Sequence, residues 1–329
     1  MTRRTVKNMV ASVHQRLLTI SKEKNRPFND LLQLYALERW LFRLSQSSQR
    51  DRFVLKGALL LVAWNISSTR PTRDIDLLGS VSNELEAVRM MIAGISTTPV
   101  DDDGLTFDPA TVVTERIAED ADYEGVRAKF QGLLGNSRIA MQIDIGFSDV
   151  ITPGPTRTRY PTLLDQPAAE LLAYNRETAI AEKFEAMVKL GELNSRMKDF
   201  FDVWLLSKSF AFDGSLLSAA VQATFTRRQT LIEIEPVCFA ERFVTDANKT
   251  VQWNGIRSPK PSHRRTRLQR DRRDGSRISA TSCSGNLRTE NADSKPAPRW
   301  TVAGAKADQV KAGVIRLDNL TPTSCQSSS

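Results

Sequence analysis

Two aspartates, Asp74 and Asp76, flank Ile75 in the otherwise apolar segment "RDIDLLG", Arg73 to Gly79. Residues two apart on a strand point to one face, so the two carboxylates share a face while Ile75 and Leu77 take the other. Burying carboxylates without partners is costly. Two at this spacing also repel and raise each other's pKa unless a cation sits between them. A chain that keeps such a segment needs a compensating charge beside it.

The surrounding pattern predicts a mixed architecture. Val6, Met9, Val10, Val13, Leu17 and Ile20 recur at helical spacing over residues 4 to 20. Asn29 reads as the N-cap of a second helix from Asp30 to about Ser45. "RFVLKGALLLVAWN" predicts a short strand, a turn at Gly57 and a buried helix, and "SSTRPT" a polar loop. A helix is expected over residues 83 to 94, and strands over "DDDGLTFDPATVVTERI" and "YEGVRAKFQGLLGNSRIAMQIDIGF". The proline-rich "VITPGPTRTRYPTLLDQPAAEL" reads as a connector. Helical periodicity resumes from Thr178 to Ser209 and again near residues 214 to 224. The fold class is therefore α/β: a mixed sheet with flanking helices, then a helical C-terminal half. The expected divisions are N-terminal helices to residue 50, a core over 51 to 160, a helical domain over 161 to 253, and a tail from 254.

That tail accounts for the basic charge. The chain carries +8, yet residues after Trp253 hold 15 Lys and Arg against 6 Asp and Glu, so residues 1 to 253 balance at −1. With one aromatic, Trp300, and no periodicity, the tail is expected to be disordered. It reads either as a product of a shifted frame without selected structure or as a nucleic-acid-binding arm.

Three clusters carry chemistry. The turn at Gly57, with a helix N-terminus beside the aspartates, would offer backbone N–H groups to phosphate. Asp144, between Ile143 and Ile145, is a third carboxylate that could face Asp74 and Asp76 from a neighbouring strand. Three carboxylates suit Mg²⁺, or Mn²⁺, which takes hard oxygen ligands and keeps positions open for substrate phosphates. "AEKFEAMVKLGELNSRMKDFFDVW" adds Lys183, Asp199 and Asp202, read either as a phosphate-binding lysine near the metal or as a surface helix laced with ion pairs. As a phosphate ligand Lys183 should matter for kinetics and little for melting. Lys56 and Arg73, the cations next to the turn and the aspartates, are further nucleotide-binding candidates.

Other classes fit poorly. Two histidines, His14 and His263, leave little room for a zinc site or a Ser-His-Asp triad, and no GxxxxGK[ST] or GxGxxG stretch occurs. The longest apolar run, Gly57 to Trp64, is far short of the roughly 20 residues that span a bilayer. No membrane partner is expected. Three distant cysteines, Cys238, Cys283 and Cys325, argue against a disulfide framework and fit a cytoplasmic location.

Taken in order, "FVLKGALLLVAW", "RPTRDIDLLG", "IAMQIDIGFSDV", "YPTLLD" and "ETAIAEKFEAMVKLGELNSRMKDFFDVWLL" resemble the nucleotidyl transferase AbiEii/AbiGii toxin family, a branch of the polymerase-β-like nucleotidyltransferases, over about residues 10 to 253. The resemblance implies a nucleotidyltransferase toxin of an abortive-infection, phage-defence system that moves nucleotides from an NTP, with the tRNA 3′ end as acceptor and a cognate antitoxin as partner. It implies that Gly57 opens the nucleotide loop, that Asp74 and Asp76 hold metal, that Lys183 contacts phosphate and that Asp199 is a further acidic site residue. The family's turn usually continues with Gly or Ser, whereas Ala58 follows Gly57 here. Two alternatives stay open: a small-molecule nucleotidyltransferase or phosphotransferase of the antibiotic-modifying kind, and a binding module of the same fold without turnover. Any tRNA contact would rely on local patches such as Arg157, Arg159, Arg227 and Arg228.

Overall fold

A computed structural model describes residues 8–66, 72–120 and 123–257. The basic tail from residue 258 on, with His263, Cys283 and Cys325, lies outside the described residues. So does most of the loop after Ile66.

Two helices open the chain, α1 (Met9–Glu23) and α2 (Phe28–Gln46). Asn8 caps α1 by accepting the Ala11 N–H at 3.0 Å. Helix α2 begins earlier than Asn29 suggested: the Pro27 carbonyl accepts the Asp30 N–H at 3.0 Å, and Asn29 falls inside the first turn. Helix α2 is buried along most of its length. Its Arg39 and Arg43 are satisfied by Asp103, at 3.0 and 2.7 Å.

The chain then runs through β1 (Phe53–Lys56), α3 (Leu59–Ala63), β2 (Ile75–Gly79), α4 (Leu85–Ser96), β3 (Leu105–Asp120), β4 (Tyr123–Leu134) and β5 (Ser137–Gly146). The stretch expected to be a connector holds two more strands, β6 (Thr156–Arg159) and β7 (Glu170–Ala173). They complete one seven-stranded mixed sheet in the order β3-β4-β5-β2-β1-β7-β6. Strand β6 is one of the two edges, where a polar, mostly exposed TRTR sequence is tolerated. Strand β7 pairs parallel to β1 and antiparallel to β6, so the sheet extends into the stretch expected to be helical.

Five helices follow: α5 (Arg176–Leu190), α6 (Met197–Ser209), α7 (Gly214–Arg227), α8 (Glu241–Val244) and α9 (Ala247–Arg257). The helical stretch from Thr178 to Ser209 is two helices, parted at Gly191, whose φ of +47° a side chain would strain. Helix α9 continues through Asn254 to Arg257, past the expected start of the tail. Apolar side chains form two cores. One lies between the sheet and the helices α1, α2 and α4; the other gathers Ile180, Met187, Phe200, Leu217, Phe225 and Trp253 among the C-terminal helices. No helix among the described residues is long and apolar enough to cross a membrane.

Candidate active site

Four adjacent strands contribute one charged residue each to a single row. Lys56 of β1 stands opposite Asp76 of β2, Asp76 lies beside Asp144 of β5, and Asp144 stands opposite Arg127 of β4. Residues paired in register share a sheet face, so the row reads cation, acid, acid, cation. Asp74 joins that face two residues before Asp76. Oxygens of Asp74, Asp76 and Asp144 lie within 4.8 Å of one another. The alternate residues Ile75, Leu77, Ile143 and Ile145 are fully buried in the core and anchor both strands from behind.

Gly57 ends β1 with φ +73°. A Cβ there would come within 1.9 Å of Oδ2 of Asp76, so only a glycine leaves this carboxylate its place. The expectation of a phosphate-binding helix N-terminus after Gly57 is not met in strength: α3 is a five-residue helix with little dipole to offer.

Asp144 is 7% exposed and held on both oxygens. Arg127 donates to Oδ1 from Nε at 2.8 Å and to Oδ2 from Nη2 at 2.7 Å. Gln142 Nε2 lies 3.3 and 3.2 Å from the same two atoms. Donation to Asp144 leads the effects that hold the Arg127 guanidinium above its ordinary pKa.

The facing wall is helical. Asn175 caps α5 by accepting the Thr178 N–H at 2.7 Å, which sets the helix start below the site. Lys183 of α5 bridges to α6 through Asp199 at 2.8 Å and Asp202 at 2.9 Å, and Arg196 binds Asp199 at 2.8 Å. This is not a surface helix laced with ion pairs, since the side chains of Lys183, Asp199 and Asp202 are 16%, 8% and 0% exposed. Burial pulls the Lys183 pKa down, but Asp199 and Asp202 outweigh it and hold the ammonium well above its ordinary value. This burial points to an effect of Lys183 on melting as well as on kinetics, since without it two buried carboxylates lose one counter-ion.

A third group links the two walls and was not legible in the sequence. Asp149, just beyond β5, accepts from Lys56 at 2.8 Å and from Arg228 at 2.8 Å. Arg228 also donates to Glu185 at 2.8 Å and lies 3.5 Å from Glu182, to which the Tyr174 hydroxyl donates at 2.9 Å. Burial would raise Asp149, but Lys56 and Arg228 hold it well below the usual carboxylate range. Burial pushes Glu182 up to about 7. Arg228 was grouped above with candidate surface contacts, yet its side chain is only 10% exposed and its hydrogen bonds are internal. Arg157, by contrast, is exposed and pairs with Asp51 at 3.1 Å.

Sheet and helices enclose a cleft of about 490 Å³ lined by Lys56, Gly57, Asp74, Asp76, Arg127 and Asp144 on one side and by Lys183, Arg196, Asp199 and Arg228 on the other. Of the residues expected at the site, Arg73 and Asp202 are not among this lining: Arg73 is exposed, and Asp202 is buried behind Lys183. The three clustered carboxylates form a hard oxygen donor set that fits a divalent cation such as Mg²⁺.

Residues 39–274 match the family model of the nucleotidyl transferase AbiEii toxin of type IV toxin–antitoxin systems, a match that runs past Trp253. No curated protein matches the sequence. Among solved structures, the nucleotidyltransferase toxin MenT4 from Mycobacterium tuberculosis is similar at 14% identity over 72% of this chain and 77% of its own, with a TM-score of 0.43. JHP933 from Helicobacter pylori is similar at 13% identity over 66% of this chain and 88% of its own, with a TM-score of 0.37.

Proposed function

We propose that this chain, which belongs to the nucleotidyl transferase AbiEii toxin family and is a nucleotidyltransferase, performs its transfer in the cleft between the acidic row and α5, from an NTP to a hydroxyl on RNA. The observation that carries this reading is the union of Gly57, Asp74, Asp76 and Asp144 on one face with Lys183 opposite. Asp74 and Asp76, with Asp144, would hold Mg²⁺, which when bound neutralises phosphate charge and acidifies the attacking hydroxyl. Lys56, Lys183, Arg196 and Arg228 give the cleft positive charge to meet the triphosphate. The acceptor oxygen attacks the α-phosphorus, the bond to the bridging oxygen of the β-phosphate breaks, pyrophosphate leaves, and a carboxylate of the row takes the hydroxyl proton.

The acceptor we favour is the 3′ end of tRNA, whose terminal ribose supplies the hydroxyl. A toxin of this kind is expected to act in the cytoplasm, to be countered by a cognate antitoxin, and to halt growth on phage infection. The test is incubation of the protein with each α-labelled NTP, Mg²⁺ and total RNA. Label appearing on RNA of tRNA size, and absent without Mg²⁺, supports the reading. Label on a small molecule alone would replace the acceptor, and no transfer with any NTP would overturn the reading.

A further inference from the structure

We infer that Asp149 is a positioning residue that joins Lys56 and Arg228 into one site for a group carrying two or more linked phosphates. The inference rests on the nucleotide reading above and adds what sets the two cations in place. Lys56 ends β1, Arg228 follows α7 and Asp149 follows β5, so three separate elements meet at one carboxylate. Lys56 Nζ donates to Oδ2 at 2.8 Å, and Arg228 donates to Oδ1 from Nη2 at 2.8 Å and from Nε at 3.2 Å. Each oxygen thus serves one wall of the cleft. All three side chains are at most 10% exposed. Two cations brought this close in a buried setting repel, and an anion between them offsets that cost. Lys56 and Arg228 line the cleft, whereas Asp149 is not among the lining. Asp149 therefore acts on a ligand through the two cations, by fixing where their charges stand. Lys183 is held differently, by Asp199 and Asp202 within the helical wall. Asp149 instead ties a cleft cation of the sheet to one of the helical wall. A lone phosphate can meet one of these cations, but linked phosphates can span both, so the spacing set by Asp149 matters most for them.

The test is calorimetric binding of inorganic pyrophosphate and of orthophosphate to the full chain at fixed Mg²⁺, with NTP transfer kinetics beside it. Asp149→Asn should weaken pyrophosphate about tenfold, the scale of one charge-assisted contact, and leave orthophosphate nearly unchanged. It should raise the KM for NTP far more than it lowers kcat, as a loss of ground-state binding does. Loss of a negative charge alone would tighten both anions, so weaker pyrophosphate binding reports position rather than net charge. Asp149→Glu, which keeps the charge but moves the carboxylate, should fall between wild type and Asp149→Asn. Lys56→Met should weaken pyrophosphate in the wild-type background and much less in the Asp149→Asn background. Unchanged or tighter pyrophosphate binding by Asp149→Asn overturns the inference, as does an equal loss for the two anions. If that variant does not fold, Asp149→Glu decides, and pyrophosphate binding equal to wild type overturns it. If Lys56→Met binds pyrophosphate as wild type does, the phosphate reading of the cleft falls and the inference with it. If Lys56→Met loses affinity while Asp149→Asn does not, only the role of Asp149 falls.

Discussion

A Cβ on Gly57 would lie 1.9 Å from Oδ2 of Asp76, so the turn after the first strand and the acid on the second occupy one space. The backbone at Gly57 is also left-handed, at φ +73°. Gly57→Ala should therefore lower stability by about 1–3 kcal/mol through strain, and should cut nucleotide transfer more than tenfold because Asp76 is displaced. Chemical denaturation and a transfer assay check the two effects. Wild-type activity in this variant would show that the position of Asp76 does not matter.

Lys183 joins α5 to α6 through two carboxylates. Lys183→Met leaves Asp199 and Asp202 buried without that charge, and the loss of one partner of a buried network costs about 3–5 kcal/mol. The variant should melt well below wild type. Adding Asp202→Asn, the fully buried partner, should restore part of the stability and none of the transfer activity. Full recovery of transfer in the double variant would make Lys183 purely structural.

Glu182 gives the site a pH dependence with a definite sign. Burial raises its pKa from 4.5 to about 7. An acid shifted this way holds its proton in the folded chain where the unfolded chain has lost it, so its contribution to stability declines as pH rises from about 4.5 to about 7. Glu182→Gln should flatten the stability profile over that window relative to wild type, as read from denaturant midpoints at half-unit steps. Parallel profiles for the two proteins would contradict this.

Arg228 is the hub between Asp149, Glu182 and Glu185. Arg228→Met should destabilise the fold by about 3–5 kcal/mol, because Glu182 and Glu185 lose this cation and Asp149 is left with Lys56 alone of its two. Arg157→Met, on the exposed edge strand, should change stability by less than about 1 kcal/mol. Thermal melts of the two variants give the comparison, and equal losses would refute the distinction between interior and surface arginines.

The sequence made the local parts of this site legible. Asp74, Ile75, Asp76 and Leu77 alternate with period two, so the strand and its acidic face followed from the pattern, and the Gly57 turn followed from an apolar run broken by one glycine. Asp144 was legible because it too sits between isoleucines. The partners were hidden because they are distant in sequence: Lys56 and Asp149 are 93 residues apart, and Arg228 and Asp149 are 79 apart. Arg127 meets Asp144 only through the register of a hairpin, which a sequence pattern does not fix when the turn is uncertain. Strands β6 and β7 were missed because four-residue strands in a proline-rich stretch carry too short a pattern to stand apart from a loop.

Asp76→Asn tests the central claim most directly, since it removes one carboxylate charge at almost constant shape. The Asp76→Asn protein should stay folded without metal, so its activity and metal response can be read directly. The account predicts that transfer of label from NTP falls to background and that any rise in melting temperature with Mg²⁺ disappears. A folded Asp76→Asn protein that transfers nucleotide at the wild-type rate would contradict it.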